Sequence, residues 1–174
     1  MADEPAVRLR RLASADLDLL VRRREVAEQE DEYGFFGHLP TTGLRGRYAE
    51  HGLLSPDDGA LMVDTADGET VGEVTWHAVH YGPPPASRAA NIGIEIFPAH
   101  RGRGYGTAAQ RALAAYLLAT YPINRVEAST DVANVAEQRS LEKAGFTREG
   151  VLRGAQWRAG AWHDLVGYSV IRSD

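Results

Sequence analysis

Cysteine is absent from this 174-residue chain. That excludes a disulfide scaffold, a thiolate zinc site, an iron–sulfur cluster and any cysteine nucleophile. Long hydrophobic runs are lacking too, with no stretch approaching the ~20 apolar residues that a membrane-spanning helix requires. The start, Met1-Ala2-Asp3-Glu4-Pro5, carries two acids and no apolar run, so no secretory leader and a cytoplasmic address are expected. Basic residues are not in surplus. A net charge of −5 argues against general nucleic-acid binding, whose affinity comes from neutralising phosphates with excess cations. Lysine is nearly missing, since of 19 basic residues only Lys143 is not arginine. Such a bias is typical of a GC-rich coding sequence and carries no functional reading.

What remains has the balance of a soluble globular protein, 44% hydrophobic and 25% charged. A chain of this length buries roughly 70% of the surface its unfolded form exposes, so it needs no metal to hold a core. No repeat or low-complexity linker divides it, and one domain over residues 1–174 is expected. Pro83-Pro84-Pro85 reads as a rigid loop between two strands.

Periodicity and breakers give a coarse element order. A strand is expected over 7–12, then a helix with Ser14 as N-cap running to about residue 27 and a short helix over 42–51. Residues 60–65 and 70–80 form paired strands joined by Ala66-Asp67-Gly68-Glu69. A strand over 90–97 precedes the clearest helix, where Ala109, Ala112, Leu113, Tyr116 and Leu117 keep the rhythm of a buried stripe until Pro122. A strand over 125–130, a helix over 135–143 and two final strands, the last over 165–171, complete the order β-α-α-β-β-β-α-β-α-β-β. That order implies a mixed sheet with helices on both faces.

Between the strand and the best helix lies Arg101-Gly102-Arg103-Gly104-Tyr105-Gly106. Unpaired N–H groups and the positive dipole end of a helix make an anion site. Glycine lets backbone approach a phosphate, and arginines match its oxygens. A Walker loop would need Gly-Lys-Ser/Thr, and here Gly106-Thr107 lacks the lysine. A dinucleotide fingerprint would open the first βαβ unit, whereas these glycines fall past mid-chain. The pyrophosphate of coenzyme A is the third reading, and a plain strand-to-helix turn is the fourth.

The turn belongs to a longer pattern. Ile94-x-Ile96-x-Pro98-x-x-Arg101-x-x-Gly104-x-Gly106 resembles the acetyl-CoA signature of the GCN5-related N-acetyltransferase (GNAT) superfamily. Downstream, Asn134-x-x-Glu137 and Glu142-Lys143-Ala144-Gly145-Phe146 resemble its second half in the RimJ/RimL branch, as does the tail from Gly150 through Trp157 and Trp162 to Tyr168. The resemblance spans about residues 7–172 and is weakest over 28–58. It implies an α/β fold of mixed α+β kind. A central, mostly antiparallel sheet of about seven strands would carry helices on both faces and a splayed parallel pair holding pantetheine.

The resemblance further implies acetyl-CoA as cosubstrate, no metal, and an amine acceptor. Backbone of Glu95, Ile96 and Phe97 would bond pantetheine. Arg101, Gly102, Arg103, Gly104, Tyr105, Gly106 and Thr107 would hold the pyrophosphate, and Asn134 would reach the thiol end. An amine attacks the thioester directly, so positioning, an oxyanion donor and a proton acceptor suffice.

At the acid and base the chain departs from its relatives. Glu137 stands where RimL-type members carry serine, Gln156 where they often carry glutamate, and Leu141 where many others carry a tyrosine acid. Glu137 shares a helix face with Asn134, so it reads either as the base or an anchor for the amine, or as half of a capping box. Glu95 reads as a catalytic candidate or a structural ion pair. Asp131, His77 and His80 are weaker base candidates, and Glu127 reads as structural. Gln156 and Trp157 are candidate acceptor contacts, with Trp157, Trp162 and Asp164 also read as core and turn residues.

Acidic clusters at Glu28, Glu30, Asp31 and Glu32, and at Asp57-Asp58, read equally as a solvated acidic surface or as attraction for a cationic acceptor such as a polyamine, an aminated antibiotic or a basic peptide N-terminus, with a small-molecule amine placed slightly ahead. A ribosomal or other protein N-terminus is the alternative acceptor. A non-catalytic acyl-CoA-binding regulatory domain is the alternative of another class, and an NAD-binding chain is a third. No nucleic acid or membrane partner is expected, and the chain is read as a monomer or homodimer.

Overall fold

Strand β2 (Asp58–Thr65) is buried along nearly its whole length, and its alternate residues go separate ways. Leu61 and Val63 join a core with Val74, Ile92, Leu113 and Val126, whereas Ala60 and Met62 join another with Leu17, Leu20, Leu44 and Leu53. Side chains alternate across a strand, so two cores mean a sheet covered on both faces. In the computed structural model, which describes residues 5–30, 32–33 and 42–173 (side chains at 24–30 and 42 excepted), helices supply both covers. Helices α1 (Ser14–Glu30) and α2 (Thr42–His51) close one face, and α3 (Tyr105–Thr120) and α4 (Val135–Lys143) close the other.

The sheet has seven strands in the order β1-β2-β3-β4-β5-β7-β6. The others are β1 (Val7–Arg10), β3 (Thr70–His80), β4 (Arg88–Ile96), β5 (Arg125–Asp131), β6 (Thr147–Arg158) and β7 (Ala161–Ile171). All neighbours run antiparallel except β4 and β5. That parallel pair is in register only at Ala90–Val126 and Asn91–Glu127. Beyond these rungs the two strands part, and the wedge between them is where the site lies.

Element order agrees with the sequence reading, and the differences are at the ends. β1 stops at Arg10 because Leu12 drops into the α1/α2 core. β4 stops at Ile96, where Phe97 turns into the 3-10 turn Pro98–His100 and packs against the same core. β7 begins at Ala161 because it pairs with β6 along the whole hairpin. The sequence places Trp157 and Trp162 in the core, and the structure corrects this. They are 56% and 67% exposed and meet edge-on, ring centroids 5.3 Å apart. β6 is the edge strand, so the pair steadies the hairpin end across the strands rather than filling a core.

A charged cluster ties β1 to its neighbours. Arg10 grips Asp16 through two bonds (2.6 and 2.9 Å) and Asp64 through Nε (2.8 Å), and Thr70 also donates to Asp64 (2.9 Å). Asp64 is 2% exposed. Asp64→Ala strands the Arg10 Nε–H and the Thr70 hydroxyl, and is expected to cost about 2–3 kcal/mol. That corresponds to a melting temperature lower by about 5–10 °C for a domain of this size. A thermal scan that moves by less than about 2 °C would reject this role for the cluster.

Candidate active site

The turn into α3 needs glycine for its backbone. Gly102 (φ +74°) and Gly104 (φ +86°) lie in the left-handed region that L side chains rarely adopt. Gly104 is the N-cap and has no side chain to cap with. The first intrahelical bond runs from the Ala108 N–H to the Gly104 carbonyl (3.1 Å), so the N–H groups of Tyr105, Gly106 and Thr107 point out of the helix start. All three residues line a cleft of about 670 Å³ that occupies the wedge between β4 and β5. Backbone donors and the helix dipole make this end of the cleft an anion site.

Of the two arginines in the turn, Arg101 lines the cleft and donates through Nε to the Ile96 carbonyl (2.8 Å), whereas Arg103 is exposed and does not line it. Phe97 is a correction. Its N–H donates to the Val71 carbonyl (2.9 Å) and its own carbonyl accepts from the His100 N–H (2.8 Å), so neither is open to a ligand. Backbone groups alternate in direction along a strand. Phe97 and Glu95 therefore turn theirs toward β3, and Ile94 and Ile96 turn theirs into the wedge. The Ile94 backbone and the Ile96 N–H are thus the wedge-facing groups open to an extended amide chain, the Ile96 carbonyl being taken by Arg101.

Glu137 enters the cleft from the first turn of α4. Asn134 is the N-cap of that helix, and its Oδ1 accepts from the Glu137 N–H (3.2 Å). This is only half of a capping box. The Asn134 N–H goes to the Asp131 carbonyl (2.9 Å), and the Glu137 carboxylate instead accepts from Gln110 Nε2. Burial pushes the Glu137 carboxyl up from 4.5 to about 7, against the opposing pull of the Gln110 bond. Leu141, the position of the tyrosine acid in other relatives, is fully buried in the main core.

These features coincide with a match over most of the chain, for residues 6–147 fit the family model described as an acetyltransferase (GNAT) domain. The chain is a GNAT acetyltransferase. It is 28% identical over 165 residues to the Bacillus subtilis protein YjcK, a probable N-acetyltransferase by name, covering 93% of this chain and 90% of that one. Its fold matches the Vibrio cholerae spermidine N-acetyltransferase solved with CoA and spermine at a TM-score of 0.77 and 20% identity, over 96% of each chain. It also matches RimL, a ribosomal L7/L12 α-N-protein acetyltransferase solved with coenzyme A, at 0.77 and 19%, over 95% and 93% of the two chains.

On the two strands that border the wedge, this GNAT domain pairs the other cleft carboxylates among the described residues with arginine. Glu95 meets Arg23 of α1 at 3.2 Å, and that guanidinium also lies over the Phe97 ring at 5.1 Å. Asp131 is bound by buried Arg158 and lies 3.2 Å from His163 Nδ1. Arg158 also donates to the Glu32 carbonyl, sits 5.3 Å over the Tyr33 ring and bonds Gln156 (3.3 Å). Gln156 lines the cleft, and Trp157 does not.

The weaker candidates fall elsewhere. His77 and His80 are exposed on β3 outside the cleft, and Glu127 is buried beneath Tyr81 (2.5 Å) and Arg125 (2.9 Å). Asp57 and Asp58 do not line it and are paired with Arg88 (3.3 Å) and Arg47 (2.8 Å). Asp31 and the side chains of Glu28 and Glu30 lie outside the described residues. Sequence reasoning missed Gln110, Arg23 and Arg158. For Gln110 a signal existed, a lone polar residue among the alanines and leucines of α3. For the arginines there was none, because their partners are remote in sequence.

Proposed function

We propose that this GNAT N-acetyltransferase moves the acetyl group of acetyl-CoA to a small cationic amine, with Glu137 taking the proton that the amine must lose. One observation carries this reading. Among the described residues three carboxylates line the cleft; Glu95 and Asp131 are held by arginines, whereas Glu137 is held by the neutral amide of Gln110. Of these three, Glu137 is the one placed to attract an ammonium group and then accept its proton.

The amine nitrogen attacks the thioester carbonyl carbon of acetyl-CoA, the C–S bond breaks, and coenzyme A leaves as a thiolate that takes up the amine's second proton. The N–H groups of Tyr105, Gly106 and Thr107 suit its diphosphate, and the wedge-facing backbone of Ile94 and Ile96 suits the amides of its pantetheine arm. Asn134 and Gln156 line the same cleft. A free alkylamine has a pKa near ~10.4, so at neutral pH it arrives protonated. Transfer to a carboxylate at about 7 is still uphill, but by less than to an ordinary carboxylate at 4.5.

Protein N-termini are the competing acceptors, since RimL is as similar in fold as the spermidine enzyme. Thiol release from acetyl-CoA separates the two across a panel of spermidine, short monoamines and peptides with free N-termini. The small amines are expected to react at least about tenfold faster in kcat/KM, a difference of ~1.4 kcal/mol in the barrier. Faster release with the peptides would overturn the small-molecule reading.

A further inference from the structure

The side chain that holds Glu137 is itself held, and the chain of bonds has a direction. Gln110 is 1% exposed, in the middle of the buried face of α3. Its Nε2 donates to Glu137 and its Oε1 accepts from the Ser140 hydroxyl (3.2 Å). Ser140 lies 3.1 Å from the Thr107 hydroxyl. An ionised carboxylate only accepts, which fixes the Gln110 amide with its nitrogen toward Glu137 and its oxygen toward Ser140. Ser140, donating to that oxygen, must accept from Thr107. The side-chain donors of Thr107, Ser140 and Gln110 therefore run in one direction, toward the Glu137 carboxylate.

We propose that Gln110 is a positioning residue that fixes the rotamer of Glu137 and sustains its ionised form, with Ser140 and Thr107 orienting the Gln110 amide. The inference rests on the reading of Glu137 as proton acceptor. A glutamine buried in an apolar helix face costs free energy unless both ends of its amide are satisfied. Here both ends are satisfied by the helix that carries Glu137, so the polar residue has a local reason to be there.

The other charged groups of the cleft do not substitute for it. Glu95 from β4 and Asp131 from β5 are paired with Arg23 and Arg158. His100 and Arg101 come from the turn before α3, and Arg139 and Lys143 project from α4 itself. Tyr33 also lines the cleft, with its ring under Arg158. Among the described residues, the Glu137 carboxylate takes its hydrogen bond from Gln110.

The test is the pH dependence of kcat for Gln110→Met, a near-isosteric change that removes both bonds. The limb governed by Glu137 is expected to move up by about one pH unit. Turnover would then fall about tenfold at pH 6.5 and recover to within about twofold of the parent at pH 9, at an unchanged KM for acetyl-CoA. Ser140→Ala, which leaves the Gln110–Glu137 bond but frees the amide to turn, is expected to shift the limb in the same direction by less. An unmoved limb in Gln110→Met overturns the positioning role. If Gln110→Met fails to fold, an unmoved limb in Ser140→Ala does so instead. Glu137→Gln separates this from the underlying reading: if that variant keeps the limb, Glu137 is not the base, whereas loss of the limb there with no shift in Gln110→Met defeats the positioning role alone.

Discussion

Glu137→Gln is expected to lower turnover at least tenfold at pH 8 while making the protein more stable. The loss follows from removing a general base, whose contribution is typically 10²–10⁴-fold. The gain follows from linkage. Burial raises the folded-state carboxyl from 4.5 to about 7, so the folded chain holds this proton more tightly than the unfolded chain does. Stability from that difference is full below pH 4.5 and is lost as pH climbs through about 7. Glutamine mimics the protonated acid and never loses it. Since Glu137 is half-buried, solvent in the cleft screens part of the effect, and a gain on the order of 2 kcal/mol at pH 8 is expected. That raises the melting temperature by about 4–8 °C and shrinks toward zero as pH approaches 4.5. The capping reading makes the opposite forecast, an unchanged rate and a lower melting temperature. The Asn134 cap itself uses the Glu137 N–H, which the substitution leaves in place.

Gly106→Leu is expected to raise the KM for acetyl-CoA at least thirtyfold, about 2 kcal/mol of lost binding. A Cβ at this position would meet Ser140 Oγ at 3.5 Å, Ile96 Cγ1 at 3.8 Å and Ile94 Cδ1 at 4.0 Å. These are ordinary contacts, so alanine fits, and in a helix it is favoured over glycine by about 1 kcal/mol. The remaining atoms of leucine have to enter the cleft that Ile94, Ile96 and Ser140 line. Folding is therefore kept and the cosubstrate path is blocked. Calorimetric titration with coenzyme A reads the effect directly, and unchanged affinity in the leucine variant would remove the cleft from the binding reaction. Gly106→Ala adds a distinction: a large loss there would mean that the diphosphate needs the bare backbone, and a small one that only bulk matters.

Much of the fold was legible from local pattern. The hairpin between β2 and β3 turns at Gly68 (φ +87°), where Ala66-Asp67-Gly68-Glu69 placed it, and α3 and α4 start at Tyr105 and Val135 behind their glycine and asparagine caps. Periodicity failed where a residue serves two environments. Ala112 and Tyr116 were expected in the buried stripe of α3 and are half-buried, while Gln110 is enclosed because α4 brings Ser140 and Glu137 to meet it. Trp157 and Trp162 misled for a related reason. Aromatic residues usually mark a core, but on the last strand of a sheet the neighbouring rung is all they have to pack on.

The glycine turn, the uncapped helix start and the strand–turn–helix around them follow from neighbours in the chain, since φ preference and capping act over a few residues. From those come the expectation of an anion site and the first half of the signature by which the chain resembles its family. Which cleft carboxylate is left without an arginine is decided at longer range. Arg23 reaches Glu95 across 72 positions and Arg158 reaches Asp131 across 27, while Gln110 meets Glu137 across another 27. Charge is a property of pairs in space, and only folding brings those partners within reach.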